Sequence, residues 1–189
     1  MVRGGFGSMT LIGVNMRHDL PKRKHPRLRD YDYSQNGYYH ITVCTQNNSP
    51  ILSRIAVGRG LAPADATANI ELTAIGNIVE EQLLDLPNRF HNISIDKYVI
   101  MPTHIHVIIA ISGDAAGASP RPTLMDAVRV LKSMSTRLCN QHDNLKGRKI
   151  WQTSFYDEVI QNEEAYKYIW QYIDSNPTLW DKDKYNRKE

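Results

Sequence analysis

The chain has 189 residues, enough for one domain with tails, and its 41% hydrophobic content can supply a single core. Its 23 Lys and Arg stand against 20 Asp and Glu, so a formal charge of +3 does not by itself point to a polyanionic partner; only the placement of the charge can do that. Cys44 and Cys139 fall in separate apolar-periodic segments, which suggests reduced core thiols in a cytoplasmic protein, and no apolar run has the length of a signal or a membrane span.

Residues 1–20 hold Gly, Met and scattered charge and are expected to be a flexible tail, with one domain over 21–189. The densest basic run, Pro21-Lys-Arg-Lys-His-Pro-Arg-Leu-Arg29, has five Lys or Arg in nine residues and is followed by Tyr31 and Tyr33. Such a run is ordinarily a solvated surface, but basic residues interleaved with aromatics can also neutralise phosphates and stack bases. After an Asn36-Gly37 turn, residues 38–46 read as a strand, with Tyr39, Ile41 and Val43 on one face and Tyr38, His40, Thr42 and Cys44 on the other. Residues 47–69, with Pro50, Gly58, Gly60 and Pro63, read as a loop carrying a short edge strand at 51–57. Helical spacing starts at Leu72 and aligns Ile75, Ile78, Val79, Leu83 and Leu86 before Pro87 stops it.

The apolar stretch 98–111 is broken by Pro102, which cannot donate to a sheet ladder, so two strands are expected, at 96–101 and 104–112. The period of two puts His104 and His106 on one face while Ile105 and Val107 turn into the core. Two hydrogen-bonded core histidines would read the same way as two metal ligands. A third donor from elsewhere would favour ligation of Mg²⁺, Mn²⁺ or Zn²⁺.

A Gly/Ala/Ser/Pro connection over 113–122 leads to a helix over 123–141, with Leu124, Ala127, Val128, Leu131, Met134, Ser135 and Leu138 inward and Arg129, Lys132 and Arg137 more exposed. Residues 150–160 contain a strand. The last helix begins at Asn162 or Glu163 and should end before Pro177, because a residue preceding proline is biased away from the helical region. On it, Tyr172 and Asn176 are four apart and share a face, which sets a phenol beside an amide at the helix end. Asparagine also ends many ordinary helices, and Tyr168 and Tyr172 could be a packing stripe. The element order fits an α+β fold, an antiparallel sheet with helices packed on one face, and no Gly-rich phosphate loop is present.

Several segments in order, Arg27-Leu-Arg-Asp-Tyr-Asp-Tyr-Ser34, Tyr39-His-Ile-Thr-Val-Cys-Thr45, Met101-Pro-Thr-His-Ile-His106, Leu131-Lys-Ser133, Trp151-Gln-Thr-Ser-Phe-Tyr-Asp157 and Tyr172-Ile-Asp-Ser-Asn-Pro177 with Trp180, resemble the single-tyrosine HUH transposases, specifically their REP-associated tyrosine transposase branch. The resemblance runs from Arg23 to Asn186 and implies the ferredoxin-like plait of HUH nucleases. It further implies a nucleophilic Tyr172, a Mg²⁺ or Mn²⁺ ion held by His104, His106 and Asn176, and cleavage and rejoining of single-stranded DNA through a 5′-phosphotyrosine. Single-stranded DNA and its hairpins would be the partners of a monomer or homodimer, with Arg23, Lys24, Arg27, Arg29, Tyr31 and Lys132 as candidate DNA contacts. Two positions depart from the family's habit: Thr103 stands where Asn is usual, and Gln161 where a basic residue is expected. Two other functions fit part of the pattern, a metal-dependent hydrolase using both histidines and a carboxylate, and a catalytically silent DNA-binding regulator.

Overall fold

The computed structural model describes residues 31–57, 68–113 and 122–186; the expected tail over 1–20 and the basic residues Arg23, Lys24, Arg27 and Arg29 lie outside them. Among the described residues the strands are β1 (Gly37–Cys44), β2 (Ser53–Val57), β3 (Ala68–Leu72), β4 (Ile93–Ile100), β5 (His104–Ile111) and β6 (Tyr156–Ile160). The helices are α1 (Ala74–Leu84), α2 (Leu86–Arg89), α3 (Leu124–His142) and α4 (Glu163–Ser175), with 3₁₀ turns at Gln46–Asn48 and Asn176–Lys182.

The main sheet has the order β4-β5-β1-β6 and is antiparallel throughout. β1 and β5 form its centre, paired from Gly37 opposite Ile111 to Cys44 opposite His104. β-Branched and aromatic residues dominate both strands and suit a pleated surface packed on two sides. Tyr39, Ile41, Val43, Ile105, Val107 and Ile109 meet Val79 and Leu83 of α1 and Ala127, Val128 and Leu131 of α3 in the larger core cluster. Ile108 points the other way and joins Val99, Met101 and Ile160 against Ile169 and Ile173 of α4. The α+β antiparallel architecture is as expected, but only α1, α2 and α3 share a face. The last helix lies on the opposite one.

The segment 47–69 holds more order than its turn residues suggested. β2 pairs antiparallel with β3 as a separate two-stranded sheet, and Ile55 and Ile70 pack onto the smaller cluster. β3 was hidden because the apolar stripe of the helix overlaps it at Leu72; the boundary is set by Thr73, whose side chain accepts from the Gly76 amide as the N-cap of α1. Gly76 is required there for space, since a Cβ would fall 2.0 Å from the Leu52 carbonyl oxygen. Pro87 does not end the helical chain but opens α2, where its missing N–H has no helical partner to lose. α3 starts with a capping box between Thr123 and Asp126. Met134 and Leu138 are only half-buried, and Cys139 takes the inward place in that turn. Both cysteines are free and buried. Among the described residues no helix is long and apolar enough to cross a membrane.

Candidate active site

β5 delivers His104 and His106 to the face that α4 covers. The strand register sets β1 beside them, with Thr42 opposite His106 and Cys44 opposite His104, and the side chain of His40 lies on the same face. The two histidines are 0% and 1% exposed, so their ring nitrogens must find partners inside the protein. They do. His104 Nε2 lies 3.1 Å from His106 Nε2, and His104 Nδ1 lies 3.1 Å from Thr103 Oγ1. His106 Nδ1 is 2.9 Å from Thr42 Oγ1 and 3.2 Å from His40 Nε2.

α4 brings the phenol. Tyr172 Oη lies 3.4 Å from His106 Nε2, and the two rings meet edge to face with centroids 5.1 Å apart. One turn later Asn176 is buried, and its Oδ1 has no hydrogen-bond partner among the described residues. Its backbone stays helical at φ −54°, ψ −42° despite the following proline, so the chain passes directly into the 3₁₀ turn Asn176–Lys182 instead of leaving the site. That turn and the residues after it cover His104: its ring centroid is 6.3 Å from Trp180 and 4.5 Å from Tyr185, and Asp183 Oδ2 lies 3.9 Å from its Nε2.

Burial sets the protonation of the cluster, because a low-dielectric surround penalises charge. It holds His104 down to about 3 and His40 down to about 4, with the Lys184 charge acting in the same direction, and it keeps His106 well below the ordinary imidazole range. All three rings are therefore neutral at pH 7 and can present lone pairs. Burial also pushes the Tyr172 phenol up to about 12, the Asp183 carboxylate adds to this, and a hydrogen bond from Asn176 opposes it.

These residues fit a divalent ion. Two Nε2 atoms 3.1 Å apart have the spacing of neighbouring ligands of one ion with bonds of about 2.1 Å. Among the described residues no three His, Cys, Asp or Glu side chains are placed to hold a metal, so a third ligand drawn from these residues would be of another type. The unpartnered buried Oδ1 of Asn176 is such an atom.

The structure thus gathers His104, His106, Tyr172 and Asn176 in one place. It sends the other tyrosines of this region elsewhere: Tyr168 is 47% exposed, Tyr156 is 57% exposed, and the Tyr166 hydroxyl donates to Asp96. Tyr31 packs on Tyr33 and Tyr39, against the core on the far side of the sheet from the histidines. The Lys132 ammonium donates to the carbonyls of Gln152 and Thr153 at 2.6 and 2.9 Å, so it anchors the segment that leads into β6. A groove of about 670 Å³ beside it, lined by Arg148, Lys149 and Trp151 among others, contains none of the four gathered residues. His40, Thr42, Asp183 and Tyr185 also join the cluster without having been singled out as site residues. The alternation in 38–46 gave the face of the first two, but only the pairing of β1 with β5 shows what that face meets.

Residues 33–176 match the family profile of the IS200-like transposases. The chain belongs to that family. The matched span of this IS200-like transposase contains all four gathered residues and ends on Asn176. An uncharacterized protein of Haemophilus influenzae Rd is 28% identical over 177 residues, covering 86% of this chain and 92% of the relative. Among solved structures, a REP-associated tyrosine transposase bound to a REP hairpin superposes with a TM-score of 0.56 at 21% identity, covering 84% of this chain and 76% of the other, which establishes a shared fold.

Proposed function

We propose that this IS200-like transposase cleaves and rejoins single-stranded DNA by transesterification, with Tyr172 as the nucleophile and a Mg²⁺ or Mn²⁺ ion held by His104, His106 and Asn176. The observation that carries this reading is the placement of the Tyr172 hydroxyl 3.4 Å from His106 Nε2, beside a pair of neutral imidazoles whose Nε2 atoms converge. Tyr172 Oη attacks the scissile phosphorus, the new O–P bond forms as the P–O3′ bond breaks, and the 3′-oxygen leaves as a hydroxyl once it takes up a proton. The phenol loses its own proton during attack: with a pKa of about 12, only about one molecule in 10⁵ is phenolate at pH 7. The product is a 5′-phosphotyrosine that keeps the phosphoester bond for rejoining, and the reverse attack by a 3′-hydroxyl restores the tyrosine without ATP. When bound, the ion would supply positive charge to the phosphoryl oxygens and the departing 3′-oxygen.

Single-stranded DNA bearing a hairpin is the substrate this reading favours, in keeping with the hairpin held by the structurally similar transposase. Arg23, Lys24, Arg27 and Arg29 would neutralise phosphates and Tyr31 would add an aromatic face. Lys132 could take part only by sharing an ammonium already donated to backbone carbonyls. This reading takes the tyrosine helix and the histidines from one chain, an arrangement open to a monomer or a homodimer. The reaction would take place in the cytoplasm.

The test is a denaturing gel of the protein mixed with end-labelled single-stranded hairpin DNA, with and without Mg²⁺ or Mn²⁺. A metal-dependent covalent protein–DNA band supports the proposal. Cut DNA without an adduct would indicate a hydrolase instead, and bound but uncut DNA a silent regulator.

A further inference from the structure

Tyr156 has no part in the reaction above, yet the sheet seats it in the same row as the cluster. It opens β6 opposite Thr42 of β1, and Thr42 in turn stands opposite His106 of β5. Residues directly opposite in antiparallel pairs share a face, so Tyr156, Thr42 and His106 line one side of the sheet across three strands. The rest of β6 agrees: Phe155 and Val159 join the core on the α1 and α3 side, whereas Ile160 joins the cluster under α4. Two strand spacings, about 10 Å, separate the backbones of Tyr156 and His106. Tyr185, whose ring covers His104, shares this corner: burial pushes its phenol up, and Cys44, Tyr156 and Tyr172 push the same way.

A lone exposed tyrosine is ordinary on a strand. This one is open in the row of the reaction centre. Tyr156 is 57% exposed and makes no side-chain hydrogen bond or ring contact among the described residues. Other exposed aromatics are engaged: the Tyr38 ring meets Tyr166 edge to face at 5.2 Å, and the Lys97 ammonium lies 3.8 Å from the centroid of the Trp170 ring. Among the described residues β6 is an edge of the main sheet, so no further strand stands beside Tyr156. Lys184 sets an ammonium 4.9 Å from the Tyr185 ring centroid, a cation for a phosphate passing this corner. Glu158, next on the same face of β6, sets a carboxylate that repels phosphates. A DNA strand leaving the site therefore gains by crossing the sheet edge at Tyr156 and loses by running along β6.

We propose that Tyr156 is the stacking platform for a base flanking the scissile phosphate of single-stranded DNA, a binding residue that orients the strand as its phosphate meets Tyr172. This rests on the reaction proposed above. A phenol ring offers a face on which every base can stack, so the contact orders the strand without selecting its sequence. The ring does the work and the hydroxyl does not, which sets Tyr156 apart from Tyr172.

The test is fluorescence anisotropy of the full-length protein with a fluorescein-labelled single-stranded hairpin DNA, repeated with each base of its single-stranded arm removed in turn. Tyr156→Ala should weaken binding about 5- to 150-fold, the worth of one stacked base, with thermal unfolding by circular dichroism unchanged. Tyr156→Phe should bind as the wild type does. One abasic position, next to the mapped cut, should weaken the wild type by a similar factor and leave Tyr156→Ala no weaker than on intact DNA. An alanine variant that binds like the wild type, a phenylalanine variant as weak as alanine, or abasic losses equal in both proteins at every position overturns the inference. So does a coupled position remote from the cut, or a wild type that binds no single-stranded DNA. If Tyr156→Ala does not fold, Tyr156→Thr, which suits an exposed strand position, takes its place. The two readings fail separately. Coupled losses without a covalent band would leave Tyr156 a base-stacking residue and refute the chemistry, whereas a covalent band without coupling keeps the chemistry and refutes the platform.

Discussion

Tyr172→Phe removes a single oxygen from the cluster, and the structure separates its effect on chemistry from its effect on stability. The hydroxyl sits 3.4 Å from His106 Nε2, a long hydrogen bond whose loss is worth less than about 1 kcal/mol, and the ring contacts with His40 and His106 remain. For a domain of this size that shifts Tm by no more than about 2–4 °C. The loss of function should be complete, because no other oxygen on α4 can substitute. Tyr168 lies one turn earlier and is 47% exposed; a turn is about 5.4 Å along the helix, whereas attack requires reacting atoms about 3–3.5 Å apart. On a denaturing gel with labelled single-stranded DNA and Mn²⁺, Tyr172→Phe should give no covalent band while still binding DNA and metal, and Tyr168→Phe should give the wild-type band. Mass spectrometry of the trapped adduct should place the nucleotide on the peptide containing Tyr172. An adduct formed by Tyr172→Phe, or a phosphotyrosine mapped to another residue, would refute the assignment.

The double substitution of His104 and His106 by Ala should abolish divalent-ion-dependent cleavage with the fold retained by circular dichroism; cleavage at the wild-type rate would put the site elsewhere. Neutralising Arg23, Lys24 and Arg27 should weaken DNA binding and lower the slope of log K against log salt by up to about 0.7 for each phosphate no longer neutralised, and an unchanged slope would remove this segment from the interface. Lys132→Met deprives the carbonyls of Gln152 and Thr153 of their donor, so chemical denaturation should show a loss of about 1–2 kcal/mol; unchanged stability with weakened DNA binding would make Lys132 a DNA contact instead. His40 and His104 have folded-state pKa values depressed to about 4 and about 3, below the ordinary 6.5, so the unfolded chain takes up protons first as pH falls. Stability of the metal-free protein is therefore full above pH 6.5 and declines below it, by up to about 1.4 kcal/mol per pH unit for each ring. Thermal unfolding at pH 7 and pH 5 should show a lower Tm at pH 5, with a smaller drop in His40→Gln. A flat profile would mean that the rings are not held neutral.

The parts of the site carried by local periodicity were legible in the sequence. Alternation in 104–111 gave the shared face of the two histidines, and the spacing of four gave Tyr172 and Asn176 a common side of one helix. What periodicity could not reveal is which faces meet. His40 and Thr42 lie more than sixty residues from His106 and reach it only because β1 pairs with β5 in one register. The side of the sheet taken by α4 was equally hidden, since Ile169 and Ile173 look like any apolar stripe until Ile108 is seen beneath them. β3 escaped because five residues at its length carry too little pattern to compete with the helical signal that follows.

The two faces of β5 make opposite demands on selection. Ile105, Val107 and Ile109 gain free energy from burial, whereas His104 and His106 occupy equally buried positions that an apolar side chain would fill at lower cost. A deep mutational scan of this strand should therefore show a beat of period two. At 105, 107 and 109 substitutions should deplete folded protein and activity together, while at 104 and 106 many apolar replacements should leave abundance intact or raise it as activity disappears. Comparing an abundance readout with an activity readout would mark the reaction centre residue by residue, without a substrate-bound structure.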